Sequence, residues 1–303
     1  MSAECVLNKL KEQGHFLVGC DIYPKEWHYE SGLCDVFYQA PLSIHEDKYR
    51  EFLLDVAIRH SIHYIIPLTD LEIDVISRKR EMFEEKGVIL CMQTNNVLKT
   101  VRNKYELYKV FCHDKRVPSI KTFLLNEIPD GIVFPCIAKP YNGRSSEGLM
   151  HINNKDQLAA ISDKDKYILQ EEIPGNVYTV DYCRSGLYGT DVAIPRKELL
   201  RTKNGAGLTI QTISDEKLIQ LCSYIGRKLD INGCVNMEFI LNKENYYLID
   251  INPRFSAGVA FSILMNYDMI NNHLRCFQNK DIDKQINIVE KIIVKKYQEV
   301  EIH

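Results

Sequence analysis

The sequence predicts an α/β protein with a parallel α/β unit at its start and further subdomains after it. Three observations carry this. Over the first hundred residues, short apolar runs alternate with helical patterns, as in a parallel sheet with crossover helices. Further on, strand-like runs follow one another across turns such as Pro174-Gly175. A chain of 303 residues is long for one core and suits two or three subdomains.

In chain order, residues 3–10 read as a helix with Val6, Leu7 and Leu10 on one face, ended by Gly14. HFLVGCD is a strand, and Val36-Phe37-Tyr38 is a short second one. Residues 48–60 carry Phe52, Leu53, Val56 and Ala57 at helical spacing. HYIIPL reads as a buried strand, 71–86 as a helix and GVILC as another strand. Parallel sheets bind ligands at strand C-terminal ends. Asp21 and the Pro67-Leu68-Thr69-Asp70 turn lie there, where they could contact substrate or simply cap turns and helix starts.

Asn103-Lys104-Tyr105 opens a helix to about residue 113, and Pro118 breaks the pattern before a strand at 121–125. FPCIAKPYNGRSSEGLM is an apolar strand ending in Lys139-Pro140, then a loop with Gly143, Arg144, Ser145, Ser146 and Gly148. Glycines permit close backbone approach, successive N–H groups cradle phosphate oxygens, and a lysine supplies a point charge. Many surface loops share this composition, and no Gly-Lys-Ser/Thr makes it a Walker A sequence. Residues 167–172 and 178–183 are strands. In AIPRKELLRTKNGAGLTIQT, Arg196, Lys197, Arg201 and Lys203 form a basic patch. A solvated loop is the simpler account of Lys197 and Lys203, whereas Arg196 and Arg201 could equally clamp an anion. A helix over 214–229 shows a core stripe of Leu218, Ile219, Cys222, Ile225 and Leu229.

The densest chemistry lies between Gly233 and Ser262. Asn236 and Glu238 share one face of a strand, and Asp250 and Asn252 share one face of the next. A three-residue loop at Lys243-Glu244-Asn245 would place Glu238 opposite Asp250. Facing carboxylates repel unless a positive group lies between them, and hard oxygen donors suit Mg²⁺. Arg254 follows Pro253, placed to meet an anion beside the metal. Residues 259–274 read as a packing helix, with Asn266 and Asp268 near an interruption, and the C-terminal tail as a last strand.

With Glu238 and Asp250-x-Asn252-Pro253-Arg254 in this order, the chain resembles the ATP-grasp enzymes, and among them the carbamoyl phosphate synthetase-like proteins. The resemblance implies an N-terminal parallel α/β, Rossmann-like pre-ATP-grasp domain (1–98). An ATP-grasp fold of two α+β subdomains (99–303) follows, with a small lid at about 118–175 and a large subdomain at about 176–303. It further implies that Lys104 and Lys139 reach the ATP phosphates and that the loop from Gly143 through Arg144, Ser145 and Ser146 covers them. Gln170, Glu171, Glu172 and Ile173 would form the adenine hinge. Glu238, Asp250 and Asn252 would hold Mg²⁺, with Mn²⁺ as a substitute. Arg254, Lys139, Arg196 and Arg201 would serve catalysis. The implied activity is an ATP-dependent ligase that activates a carboxylate as an acyl phosphate for attack by an amine or similar nucleophile. The implied partners are small carboxylate and amine substrates, with a homodimer as the candidate assembly.

Two departures stand out. The family begins with a strand and a glycine-rich turn, whereas this sequence starts at the helix. A sheet lacking that strand would leave an edge exposed or otherwise covered. The family also has a ribose-binding Glu two residues after the hinge glycine, where this chain has Val177. Losing a carboxylate that accepts two hydroxyls costs about 1–3 kcal/mol. Asp181, four residues on and on the same strand face, is the candidate replacement. A catalytically impaired nucleotide-binding or regulatory module is therefore the competing expectation, while a dehydrogenase fails for want of a GxGxxG after the first strand.

Composition bounds the setting. At 45% hydrophobic and 26% charged residues the chain is ordinary for a globular protein, and a net charge of −3 leaves no electrostatic footprint for nucleic acid. No apolar run is long enough to span a bilayer, and the charged N-terminus is unlike a signal peptide. Ten scattered cysteines without a CxxC read as reduced thiols of a cytoplasmic protein.

Overall fold

The computed structural model describes residues 2–144 and 146–301. The chain opens with α1 (Ala3–Glu12), which buries Val6 and Leu10 and turns out at Gly14, where φ is +78°. β1 (Val18–Asp21) pairs in parallel with β2 (Val36–Gln39). α2 (Glu46–Arg59) buries Leu53, Val56 and Ala57. β3 (Tyr64–Ile65) pairs in parallel with β4 (Ile89–Leu90). Between them the helix expected over 71–86 is two helices, α3 (Asp70–Ser77) and α4 (Glu81–Glu84). Tertiary partners hold the break open: the Asn95 amide caps the Ser77 carbonyl, and Arg80 donates to the Gln93 carbonyl.

The parallel pairing is as the alternation predicts, but it makes two separate two-stranded sheets. Among the described residues β1 and β3 each keep one unpaired edge, with a groove of about 870 Å³ between them. Val18, Cys20, Tyr64 and Ile66 line it, and Val6 and Leu10 of α1 contribute from above. HYIIPL, which reads as a buried strand, is therefore only half-buried.

α5 (Asn95–Val101) and α6 (Lys104–Phe111) follow, capped by the side chains of Thr94 and Asn103. A four-stranded antiparallel sheet comes next, from β5 (Thr122–Leu124), β6 (Cys136–Pro140), β7 (Met150–Ile152), the short helix α7 (Lys155–Ala159) and β8 (Tyr167–Glu171). Its order is β5-β8-β6-β7. The larger sheet contains β9 (Asn176–Arg184), β10 (Asp191–Arg201) and β11 (Gly207–Thr212). After α8 (Glu216–Lys228) it continues with β12 (Gly233–Asn242) and β13 (Asn245–Asn252). α9 (Val259–Leu264) and α10 (Met269–Phe277) are separated at Asn266, whose φ is +62°. Among the described residues of the tail only Ile292–Val294 forms a strand, β14, completing the antiparallel order β13-β12-β9-β10-β11-β14.

Strand periodicity sorts the two faces of this sheet. Val180, Tyr182, Met237, Phe239 and Ile251 pack against Leu218, Cys222 and Ile225 of α8. On the opposite face Cys183, Val192, Ile194 and Cys234 lie under α10, with Ile270 and Leu274. Towards the other end of these strands the same face turns polar, and the candidate site is there.

His273 of α10 ties the two parts of the molecule together. Its Nδ1 accepts from the Cys234 N–H (2.8 Å), so Nε2 carries the proton and donates to the Cys91 carbonyl (3.1 Å). Burial pushes its pKa down to about 4. The folded state therefore binds fewer protons than the unfolded chain between about 6.5 and 4, and stability falls as pH drops through that window. The expected loss is roughly 2–3 kcal/mol by pH 4. Urea unfolding of wild type and His273→Gln across this range checks it, because the variant lacks this component of the acid slope.

Candidate active site

The hairpin β12–β13 builds the floor of the site. Its turn has two residues, Lys243 and Glu244, with Asn242 opposite Asn245, rather than the three expected. That change alone would shift the register by one. A bulge at Ile249 shifts it back, so Glu238 still faces Asp250 and Asn236 faces Asn252. The bulge also explains why Leu248 and Ile251, three residues apart, both pack into the α8 core.

Both facing acids are already neutralised. Arg201 Nη2 lies 2.8 Å from Glu238 Oε2, and Lys104 Nζ lies 3.1 Å from Asp250 Oδ2. Lys104 also donates to the Gly143 carbonyl at 2.8 Å, joining the start of α6 to the glycine-rich loop. Lys139 enters from the end of β6. Burial, with the charge of Lys104, pushes its pKa down to about 8 against the opposing pull of Asp250 and Glu238. Arg201 donates through Nε to the Gly205 carbonyl at 2.7 Å. Gly205 has φ +82°, and a Cβ there would meet Arg201 Nη2 at 3.1 Å. The turn needs glycine both for its backbone and for the guanidinium beside it.

These residues line one cleft of about 490 Å³ between the two sheets. Gly143, Arg144 and Ser146 form its loop wall, while Ser145 lies outside the described residues. Gln170, Glu171, Glu172 and Ile173 edge its far end. The N–H groups of Glu171 and Glu172 are spent within the small sheet, on Lys121 and Pro135. The Gln170 amide is spent on Thr122 Oγ1 at 2.8 Å. Asn252, Arg196 and Arg254 complete the set.

Asp181 does not join it. It is 4% exposed, and Arg196 Nη1 (2.8 Å) and Ser262 Oγ (2.7 Å) both donate to its Oδ2. Asn236, directly opposite on β12, donates to Oδ1 at 3.4 Å. The expectation that Asp181 replaces the ribose carboxylate is corrected: it lies outside the cleft on the same sheet face as Thr179 and Asn236, and braces the end of the cleft through Arg196. Arg196 is likewise no loop residue but a 3%-exposed strand residue, held by Asp181, Glu198 (3.2 Å) and Ser256 (3.3 Å).

Sequence reasoning missed Glu198 and Thr179. Both line the cleft, and Glu198 Oε2 and Thr179 Oγ1 are buried without a hydrogen-bond partner among the described residues. Period two could have found them, since Glu198 follows Arg196 and Thr179 precedes Asp181 by two.

The donor set fits a hard divalent cation. Among the described residues no three His, Cys, Asp or Glu side chains converge on a metal-sized site. Two facing carboxylates with an amide, whose charge cationic side chains now balance, match Mg²⁺ held jointly by protein and phosphates.

A cleft between two antiparallel sheets thus brings together lysines, a glycine-rich wall and paired acids. Residues 101–258 match the model of the ATP-grasp domain family, more than half of the chain, and residues 31–91 match a PylC-like N-terminal domain. The chain belongs to the ATP-grasp family. It is 22% identical over 275 residues to the carbamoyl phosphate synthase arginine-specific large chain of Geobacillus stearothermophilus, covering 82% of this chain and 25% of that one. It is 28% identical over 204 residues to the D-alanine–D-alanine ligase of Petrotoga mobilis, covering 57% and 67%. The chain thus spans a quarter of the synthase and two thirds of the ligase. Among solved structures it superposes on the biotin carboxylase domain of Hydrogenobacter thermophilus 2-oxoglutarate carboxylase, in complex with MgADP and bicarbonate. The TM-score is 0.78 at 18% identity, over 93% of this chain and 69% of that one. The N-terminal α/β domain followed by an ATP-grasp fold is as the sequence predicts, and no helix among the described residues is long and apolar enough to cross a membrane.

Proposed function

We propose that this chain is an ATP- and Mg²⁺-dependent ligase that activates a small carboxylate as an acyl phosphate for attack by an amine or similar nucleophile. The observation that carries this is the pairing of Glu238 with Asp250 across the hairpin, with Lys104, Lys139 and Arg201 converging on them from three other elements. An arrangement serving only the fold has no need of two facing carboxylates.

On this reading residues 1–98 flank the site and 99–303 build it. The hinge at 171–173 takes the adenine. Lys104, Lys139 and the loop through Gly143 and Ser146 bind the phosphates by point charge and backbone N–H groups. Mg²⁺, held by Glu238, Asp250 and Asn252, supplies charge neutralisation and a template for in-line transfer. Lys104 and Arg201 exchange their carboxylate partners for phosphate oxygens. The γ-phosphoryl group leaves the ADP oxygen for a carboxylate oxygen. Arg254 and Arg201 bear on the charge that develops there. The amine nitrogen then bonds the carbonyl carbon and gives up a proton to solvent, and phosphate departs with the C–O electron pair.

A second reading, a nucleotide-binding module without turnover, is favoured by Val177 and by the commitment of Asp181 to Arg196 and Ser262. Calorimetry with a non-hydrolysable ATP analogue, with and without Mg²⁺, separates the two. Binding is expected to require Mg²⁺ and to weaken at least about tenfold, or 1.4 kcal/mol, in Asp250→Asn. ADP release stimulated by one member of a panel of acids and amines then supports the ligase. Mg²⁺-dependent binding without any acceptor-stimulated release supports the module, and no binding at millimolar nucleotide sinks both.

A further inference from the structure

We propose that Asp70, supplied by the N-terminal α/β domain, is a positioning residue for Arg254 and so sets the anion-binding edge of the cleft. The role of that edge in phosphoryl transfer rests on the ligase reading above; the positioning itself does not.

Asp70 is the first residue of α3, fixed in place by the Thr69–Glu72 capping box. It is 3% exposed and does not line the cleft. Its Oδ2 accepts from Arg254 Nε at 3.1 Å and from Nη2 at 2.8 Å. Arg102 Nη1 stands 3.5 Å from Oδ1, and Arg102 is itself gripped by Asp74 through Nε (2.9 Å) and Nη2 (2.8 Å). Burial pushes the Asp70 carboxyl up, but Arg254 and then Arg102 outweigh it and hold it below the usual carboxylate range. Asp70 is therefore a buried, charged anchor between two arginines of the following domain.

The consequence lies in how Arg254 spends its five donors. Nε and one Nη2 proton go to Asp70, and one Nη1 proton goes to the Phe255 carbonyl at 3.2 Å. The second Nη2 proton goes to Asn252 Oδ1 at 3.5 Å, which leaves one Nη1 proton for an anion in the cleft that Arg254 lines. A free arginine side chain loses rotamer freedom each time it meets an anion, whereas one gripped from behind has lost it already. Donors fixed before charge develops favour the transition state over the ground state. Asp70 thus acts through Arg254 and touches no substrate. It also makes the N-terminal domain a working part of the site.

The test compares Asp70→Asn, which keeps the shape and removes the charge, with Asp74→Asn, which loosens Arg102 without touching Arg254. In protein labelled with ¹⁵N-arginine, the Arg254 Nε–Hε resonance is assigned by its absence in Arg254→Lys. We expect Asp70→Asn to shift this resonance upfield or lose it to exchange with water, and Asp74→Asn to leave it in place. In acceptor-dependent ADP release, kcat should fall about tenfold to a hundredfold in Asp70→Asn, with KM for ATP changed less than about twofold. An unchanged Arg254 resonance in Asp70→Asn overturns the proposal, and so does an equal disturbance by Asp74→Asn. If Asp70→Asn does not fold, Asp70→Glu replaces it. The longer acid should keep a protected but displaced resonance and lower kcat, and wild-type kcat with a displaced resonance overturns the proposal. A wild type that turns over no acceptor removes the ligase reading, while the resonance still decides the role of Asp70.

Discussion

Glu238→Gln is expected to reduce acceptor-dependent ADP release about a thousandfold, roughly 4 kcal/mol of transition-state stabilisation. The substitution keeps the volume and one oxygen donor but removes the charge that faces Asp250 across the hairpin. Two effects act together. On the proposed reading, the cation that neutralises the phosphates would lose one of its two protein carboxylates. Arg201, now 2.8 Å from Glu238, loses its anionic partner and the position that partner holds. The fold should survive, because Glu238 sits at the partly exposed edge of the cleft while its neighbours Met237 and Phe239 carry the core. A melting temperature within a few degrees of wild type, with turnover abolished, is the expected pair of results. Turnover within tenfold of wild type would remove Glu238 from the metal site, whatever happened to binding.

How far this site was legible in the sequence differs from residue to residue. Glu238 and Asp250 were readable because period two constrains each strand separately, and acids at i and i+2 of an amide fall on its face whatever the loop does. The loop itself was misread, and a bulge at Ile249 compensates. No pattern in the sequence announces that bulge, since Leu248, Ile249 and Ile251 are all apolar. Asp181 shows the opposite case. Its face was read correctly, but its partners Asn236 and Arg196 come from the two flanking strands, and single-strand periodicity carries no register between strands. Asp70 was readable only as the end of a turn. Its meaning depends on Arg254, 184 residues away. In the N-terminal domain, HFLVGCD reads as a strand and HYIIPL as a buried strand, and each proves to have one strand neighbour and an open edge. Composition reports what a strand is suited to and leaves unstated what lies beside it.

Lys139→Met should weaken nucleotide binding about a hundredfold, near 3 kcal/mol, and at the same time make the free protein more stable. The signs oppose for one reason. In the free protein the ammonium is buried beside Lys104, and its pKa falls to about 8 from 10.5 in spite of Asp250 and Glu238. Between about 8 and 10.5 the folded state binds fewer protons than the unfolded chain, so stability rises with pH across that window. Below about 8 the full penalty is present. Methionine removes it, for a gain of about 1–3 kcal/mol at neutral pH once the partial exposure of the side chain is allowed for. Urea unfolding at pH 7 and at pH 10 reads this directly, because the wild type should close on the variant as pH rises. Phosphate oxygens reverse the balance by restoring the charge. Above about pH 8, wild-type nucleotide binding should therefore take up a proton, seen as a dependence of calorimetric heat on the ionisation enthalpy of the buffer, and the variant should show none. Nucleotide affinity within threefold of wild type would take Lys139 out of the phosphate site. A destabilised variant would mean that the ammonium serves the fold instead. The expected outcome is a lysine kept at a cost to stability because its charge is wanted only when nucleotide arrives.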